Sequence, residues 1–203
     1  QETTFDTPSN GAAVTMAPLG VWLSKAESVD EDKKSDLIPL MSATHSHPAS
    51  VAAAYGHAFA VRAALLAEAD SFNVDAFWEA VHAETLAVER SSGDTDTSVS
   101  DRLAALRDNL DDFPLDLQDA CGGTGVHASE SWPFALAMFA RNPHLPETTL
   151  LSAINVGGDA NSVGALCGAL LGALNGADAF PQAWHDGLEA RDQILAVADA
   201  LMR

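Results

Sequence analysis

Residues 157–176 read GGDANSVGALCGALLGALNG. A double glycine permits a tight turn, and the sixteen residues from Ala160 to Asn175 carry no charge. Such a stretch is stable only as a buried helix. Gly164, Gly168 and Gly172 recur every four residues, each followed by Ala (165, 169, 173), so one helix face is nearly flat and a second helix can pack close behind it. A chain built around this segment must supply helical layers to cover it.

The rest of the sequence agrees with that demand. The apolar period is helical nearly everywhere, Ala is abundant, and β-branched runs are short. Helices are expected at 12–24 with an interruption at Pro18, and at 36–44, 48–69, 74–90, 99–111, 129–141, 147–156, 160–175 and 182–202. Pro48 and Pro146 suit first turns, and Ser98 with Asp101 resembles a capping box. Phe77 and Trp78 read as core. No heptad persists and no strand ladder is visible. The expected class is all-α, a compact orthogonal helical bundle, and 1–203 reads as a single domain.

The chain carries 29 Asp and Glu against 10 Lys and Arg, a net charge of −19, with lysine only at 25, 33 and 34. This field repels nucleic acid and anionic membranes, so neither is expected as a partner. No run of 18 apolar residues reads as a membrane span. The acids are scattered, which favours a surface hydrated in the cytoplasm of a salt-adapted organism over a patch for a basic partner. Cys121 and Cys167 form no C-x-x-C pair. Cys167 reads as a core residue. Cys121, before Gly122-Gly123, is expected at the surface.

Four short stretches could carry chemistry, and they are not equal. Asp159, Asn161 and Ser162 stand at the mouth of the apolar helix. They are ordinary helix caps, and they are also three oxygen donors suited to a hard cation. GDTDT at 93–97 is a better copy of a carboxylate metal motif. It lies in a Ser/Thr/Asp-rich turn between charged helices, and turn chemistry explains it. His45 and His47 would project about 200° apart on a helix, too far to share an ion. CGGTG at 121–125 lacks the lysine of a phosphate loop.

In GGDANSVGALCGALLGALNG with Pro181 and Trp184, the chain resembles the ADP-ribosylglycohydrolase family, whose metal motif G-G-D-T/A-D-T/S precedes a Gly/Ala-rich helix. SNGAAVTMAPLG (9–20) is similar to that family's N-G-A/G-A-M-R-x-A-P-x-G segment. ATHSHPASVAAAYGHAFAV (43–61) resembles its T-H-x-x-P helix, and GTGVHASESWPFALAMFAR (123–141) its G-x-G…E-S-x-P-x-A segment. The order is the family's.

The resemblance implies a binuclear Mg²⁺ (or Mn²⁺) site that activates water, and hydrolysis of ADP-ribose from a modified protein or small conjugate. Asp159 and Ser162 would be metal ligands, with Asn161 between them. Asn10, Gly11 and Ala12 would present backbone N–H groups to the diphosphate. His45 would border the ribose. Gly123, Gly125 and Glu130 would shape the cleft loop, and Gly158 the turn beside the metal. The chain also departs from the family. Asn161 replaces a second Asp and adds no charge, and Thr15 replaces an Arg. The G-D-A and T-D-D segments of the other half-site are not found. The expectation is therefore an N-terminally truncated hydrolase; the alternative is a non-catalytic descendant that keeps the fold as an ADP-ribose-binding or structural module. Loss of the N-terminal helices would expose apolar surface. A homodimer is expected to cover that face.

Overall fold

The computed structural model describes residues 5–91 and 98–203, and within them the fold is all-α. The helices are α1 (Gly11–Val14), α2 (Ala17–Leu23), α3 (Glu31–Ser42), α4 (Pro48–Leu66), α5 (Val74–Ser91), α6 (Ser98–Leu106), α7 (Pro114–Ala120), α8 (Ala128–Arg141), α9 (Pro146–Asn155), α10 (Ala160–Asn175), α11 (Gln182–Asp186) and α12 (Arg191–Met202). Extended backbone among the described residues is confined to two isolated bridges, Phe5 with His45 and Ser9 with His127. The GDTDT segment lies outside the described residues.

The helix α4 is the axle. From Ala49 to Val61 every residue but Phe59 is buried, because α1, α2, α3, α5, α8 and α10 all pack against it. Only a helix rich in alanine leaves room for so many neighbours. By length and composition its 19 residues would cross a membrane, but here its surface faces other helices. Alongside it, α8 is buried from Ala128 to Ala140 except at Glu130, and α10 packs on α4, α8 and α9. Phe77 and Trp78 are core residues as expected.

Several boundaries differ from the sequence reading. The chain breaks at Thr15–Met16 rather than at Pro18, whose ring fits the first turn of α2. Helix α3 starts at Glu31, five residues early, because the Asp30 side chain accepts the Lys33 N–H at 3.0 Å. At α6 a carboxylate from another helix takes part as well: Glu89 of α5, buried, accepts the N–H of Val99 (3.0 Å) and Ser100 (3.2 Å). The expected helix 182–202 divides, and Ala190 takes a left-handed φ of 56° between α11 and α12. Cys121 is fully buried, not exposed, because it closes α7 against the core. Beneath α12, an apolar groove of about 760 Å³ runs between that helix and Ala17, Val21, Val61, Ala169 and Ala173. Ile194 and Val197 remain 49% and 69% exposed above it.

Candidate active site

An extended segment at residues 5–10 stitches together the N-terminal ends of α4 and α8. Phe5 donates its N–H to Thr44 O (2.8 Å) and accepts from Ser46 (3.1 Å). Ser50 Oγ donates to Thr7 O at 3.0 Å. On the other side Asn10 N–H reaches Val126 O (2.8 Å) and Ala128 N–H reaches Pro8 O (2.7 Å). Both helices begin on a histidine cap: His47 Nδ1 accepts the Ala49 N–H at 3.2 Å, and His127 Nδ1 the Ser129 N–H at 3.3 Å. These histidines serve the backbone, so the His45/His47 pair is split, as its spacing suggests.

The glycine turn docks onto the loop before α8 through Thr124, a buried residue that the sequence reading passed over. Thr124 Oγ1 donates to Gly157 O (3.1 Å) and accepts from Gln118 Nε2 (3.0 Å), while its carbonyl accepts the Asp159 N–H (2.7 Å). Gly158 lies against it with φ +69°. A side chain there would be strained and would overlap the Thr124 carbonyl. The only sequence signal was a threonine between glycines, G-T-G.

Asp159 is half-buried at the N-cap of α10 but does not cap it. Its Oδ2 instead accepts from Asn10 Nδ2 at 2.7 Å, and Asn10, 4% exposed, also donates to Ser131 Oγ at 2.9 Å. The N-terminal ends of α1, α8 and α10 therefore meet at Asn10. The plain cap reading of Asp159 does not hold. Nor does Asn10 offer its backbone N–H to an anion, because Val126 O has it.

The remaining candidates fall into two groups. His45 stands over Gly11, where a Cβ would lie 2.8 Å from Nε2, and its ring lies 5.6 Å from that of Phe5. Glu130 Oε2 accepts the Gly125 N–H at 3.0 Å, and a Cβ on Gly123 would lie 3.2 Å from the same oxygen. Glu130 thus folds the loop onto itself. Ala12 turns its methyl into the core. Asn161 is exposed, and Ser162 is nearly buried beside it.

Among the described residues no three His, Cys, Asp or Glu side chains cluster as a metal site. The donors at the mouth of α10 are one carboxylate, one amide and one hydroxyl, all oxygen. That set fits one hard cation that keeps much of its water, not a pair. Burial pushes the thiols of Cys121 and Cys167 up to about 12, so neither is a thiolate nucleophile.

The sequence profile of the ADP-ribosylglycohydrolase family matches residues 2–203. The chain belongs to the ADP-ribosylglycohydrolase family. Among members of that family, ADP-ribosylhydrolase ARH3 of Homo sapiens is 27% identical over 217 residues, covering 96% of this chain and 57% of that protein. The uncharacterized protein YegU of Escherichia coli K12 is 30% identical over 190 residues, covering 92% of this chain and 56% of the other. An uncharacterized protein of Archaeoglobus fulgidus is 42% identical over 55 residues, 27% of this chain and 17% of that protein. The chain spans a little over half the length of the first two.

Proposed function

We propose that this chain carries the diphosphate-facing part of a cation-assisted hydrolase that removes ADP-ribose from a modified protein or small conjugate. The observation that carries the reading is Asp159. A carboxylate at a helix N-cap that leaves its own helix uncapped, and is held by a buried amide from another element, is arranged for something other than capping.

Asp159, Asn161 and Ser162 would hold the cation, Mg²⁺ or Mn²⁺, which when bound supplies a polarised water and offsets the charge of a diphosphate. The offset matters in a chain of net charge −19, which on its own repels such a ligand. The chain's residues do the rest. Thr124 fixes the turn that carries Asp159. Glu130 fixes the loop 123–125, whose glycines leave room for its carboxylate to lie against the backbone. His45, half-exposed over Gly11, would border the ribose and offer its Nε2 as a hydrogen-bonding atom there. Hydrolysis then replaces the bond between the anomeric carbon and the acceptor with a bond to water oxygen, and the acceptor leaves with a proton.

A second reading has its own observation. With a single carboxylate at the mouth of α10 and no three-residue ligand cluster among the described residues, the chain alone suits an ADP-ribose-binding module. Titration calorimetry of ADP-ribose at high salt, with and without Mg²⁺, separates the two. Binding that needs Mg²⁺ and is lost in Asp159→Asn supports the hydrolase reading. Equal binding with and without the metal supports the module. No binding in either condition defeats both.

A further inference from the structure

We propose that Asn10 is a positioning residue, which holds Asp159 off the end of α10 and leaves its other carboxylate oxygen available to a cation. The inference deepens the cation-assisted reading above and rests on it.

The orientation of the Asn10 amide follows from the network around it. Ser131 Oγ donates its proton to His127 O at 3.2 Å, so toward Asn10 it can only accept. A carboxylate can only accept as well. Asn10 therefore turns its NH₂ to both, one hydrogen to Ser131 (2.9 Å) and one to Asp159 (2.7 Å). Its backbone N–H is taken by Val126 O. No N–H of Asn10 is left for a ligand. The residue at the head of the S-N-G segment acts through Asp159 and not on the substrate.

The backbone of Asp159 points the same way. Three residues that cap other helices with their side chains, Asp30, His47 and His127, sit at ψ of 173°, 133° and 132°. Asp159 sits at ψ 62°, outside that extended range, and makes no cap bond. A charge-assisted bond to a buried amide competes with the free N–H groups of α10 for the same carboxylate, and here the amide wins. Oδ2 is committed to Asn10, and Oδ1 receives no hydrogen bond from the described residues. Without the amide, Asp159 would be free to swing back and cap its own helix.

The test uses the intact chain and Mn²⁺ alone, read by electron paramagnetic resonance, with Asn10→Ala, the similarly shaped Asn10→Leu, Asp159→Asn and the double variant Asn10→Ala/Asp159→Asn. Thermal melts check that each folds. Outer-shell partners of metal ligands carry about tenfold or more in affinity. Both Asn10 variants should bind Mn²⁺ about tenfold more weakly, and Asn10→Ala should add no loss to Asp159→Asn. Wild-type affinity in both Asn10 variants, or an equal further loss in the double variant, overturns the proposal. A second readout needs no metal: the side-chain amide protons of Asn10 should exchange slowly in ¹H–¹⁵N spectra and shift in Asp159→Asn. A wild-type chain that ignores Mn²⁺ defeats the cation reading. The positioning role then stands if that amide signal shifts and falls if it does not.

Discussion

Gly56, in the middle of α4, lies against the indole of Trp132 on α8: a Cβ on Gly56 would stand 2.5 Å from Trp132 Cη2. It would also stand 2.6 Å from Thr85 Oγ1, so it meets neighbours on two sides. Three buried helices, α4, α5 and α8, cross within one side chain's thickness.

Gly56→Ala should therefore destabilise the chain although alanine is the better helix former. Propensity favours Ala by about 1 kcal/mol. Overpacking a rigid core costs about 1–3 kcal/mol, and Trp132 is fully buried with nowhere to move. The expected net is a loss of up to about 2 kcal/mol, or a fall in Tm of up to about 8 °C for a chain of this size. A thermal melt checks it; a Tm that rises would mean the indole relaxes freely.

His57, one residue on, makes the chain sensitive to acid. It is buried with no partner for either ring nitrogen, and burial pushes its pKa down to about 3. The unfolded chain binds a proton at His57 near the ordinary value of about 6.5 and the folded chain does not. Above that value the ring is neutral in both states and His57 adds no pH dependence. As pH falls from about 6.5 toward 3, stability drops by about 1.4 kcal/mol per unit, so about 2 kcal/mol is gone at pH 5. Denaturant melts at pH 7 and pH 5 should show that His57→Leu loses about 2 kcal/mol less than wild type between the two. Equal losses would mean that His57 is hydrated or hydrogen-bonded in solution.

The legibility of this fold in its sequence follows a physical divide. Helices α4, α8 and α10 were readable because burial on nearly every side leaves long, alanine-rich apolar runs in the sequence. Boundaries decided by one side chain were not: the start of α3 rests on Asp30 within a charged run, and the division before α12 rests on the backbone of Ala190. The site was half readable. The polar cluster 159–162 stood out from its apolar helix. Its orientation did not, because the group that turns Asp159 aside is 149 positions away, and local propensity argued for a cap. Thr124 left almost no trace, since its work is done by its carbonyl and by one hydroxyl inside a glycine loop.

Two left-handed glycines provide a matched test of the turn that carries Asp159. Gly158 (φ +69°) is pressed on Thr124, whereas Gly176 (φ +79°), at the end of α10, has nothing within 4 Å of a would-be Cβ. Gly176→Ala, at φ 79° and ψ 167°, should cost only the backbone conformation, about 1–3 kcal/mol. Gly158→Ala strains its backbone too and must also push Thr124 away, which displaces Asp159. It should lose more than Gly176→Ala in a melt and weaken Mn²⁺ binding, which Gly176→Ala leaves unchanged. Equal stability losses with equal Mn²⁺ affinities would show that the turn has slack.

The charge of the chain predicts how salt acts on it. With 29 acidic residues against 10 basic ones, compaction brings like charges together, and the folded state bears more repulsion than the unfolded one. Ion pairs among the described residues are few and mostly exposed, so salt has little attraction to screen away: Lys34 with Glu31 and Glu84, and Arg107 with Asp75 and Glu79. Raising KCl from 0.1 to 1 M shortens the screening length from about 10 to about 3 Å, less than the spacing of most surface charges. Tm should rise across that range. Charge-reversing Asp36→Lys on α3 and Asp199→Lys in the last turn of α12, both at exposed sites, should raise Tm in 0.1 M KCl and reduce the gain on adding salt. A Tm that is flat or falls with KCl would place the excess acid outside the energetics of folding, and the salt-adapted reading of the surface would fall with it.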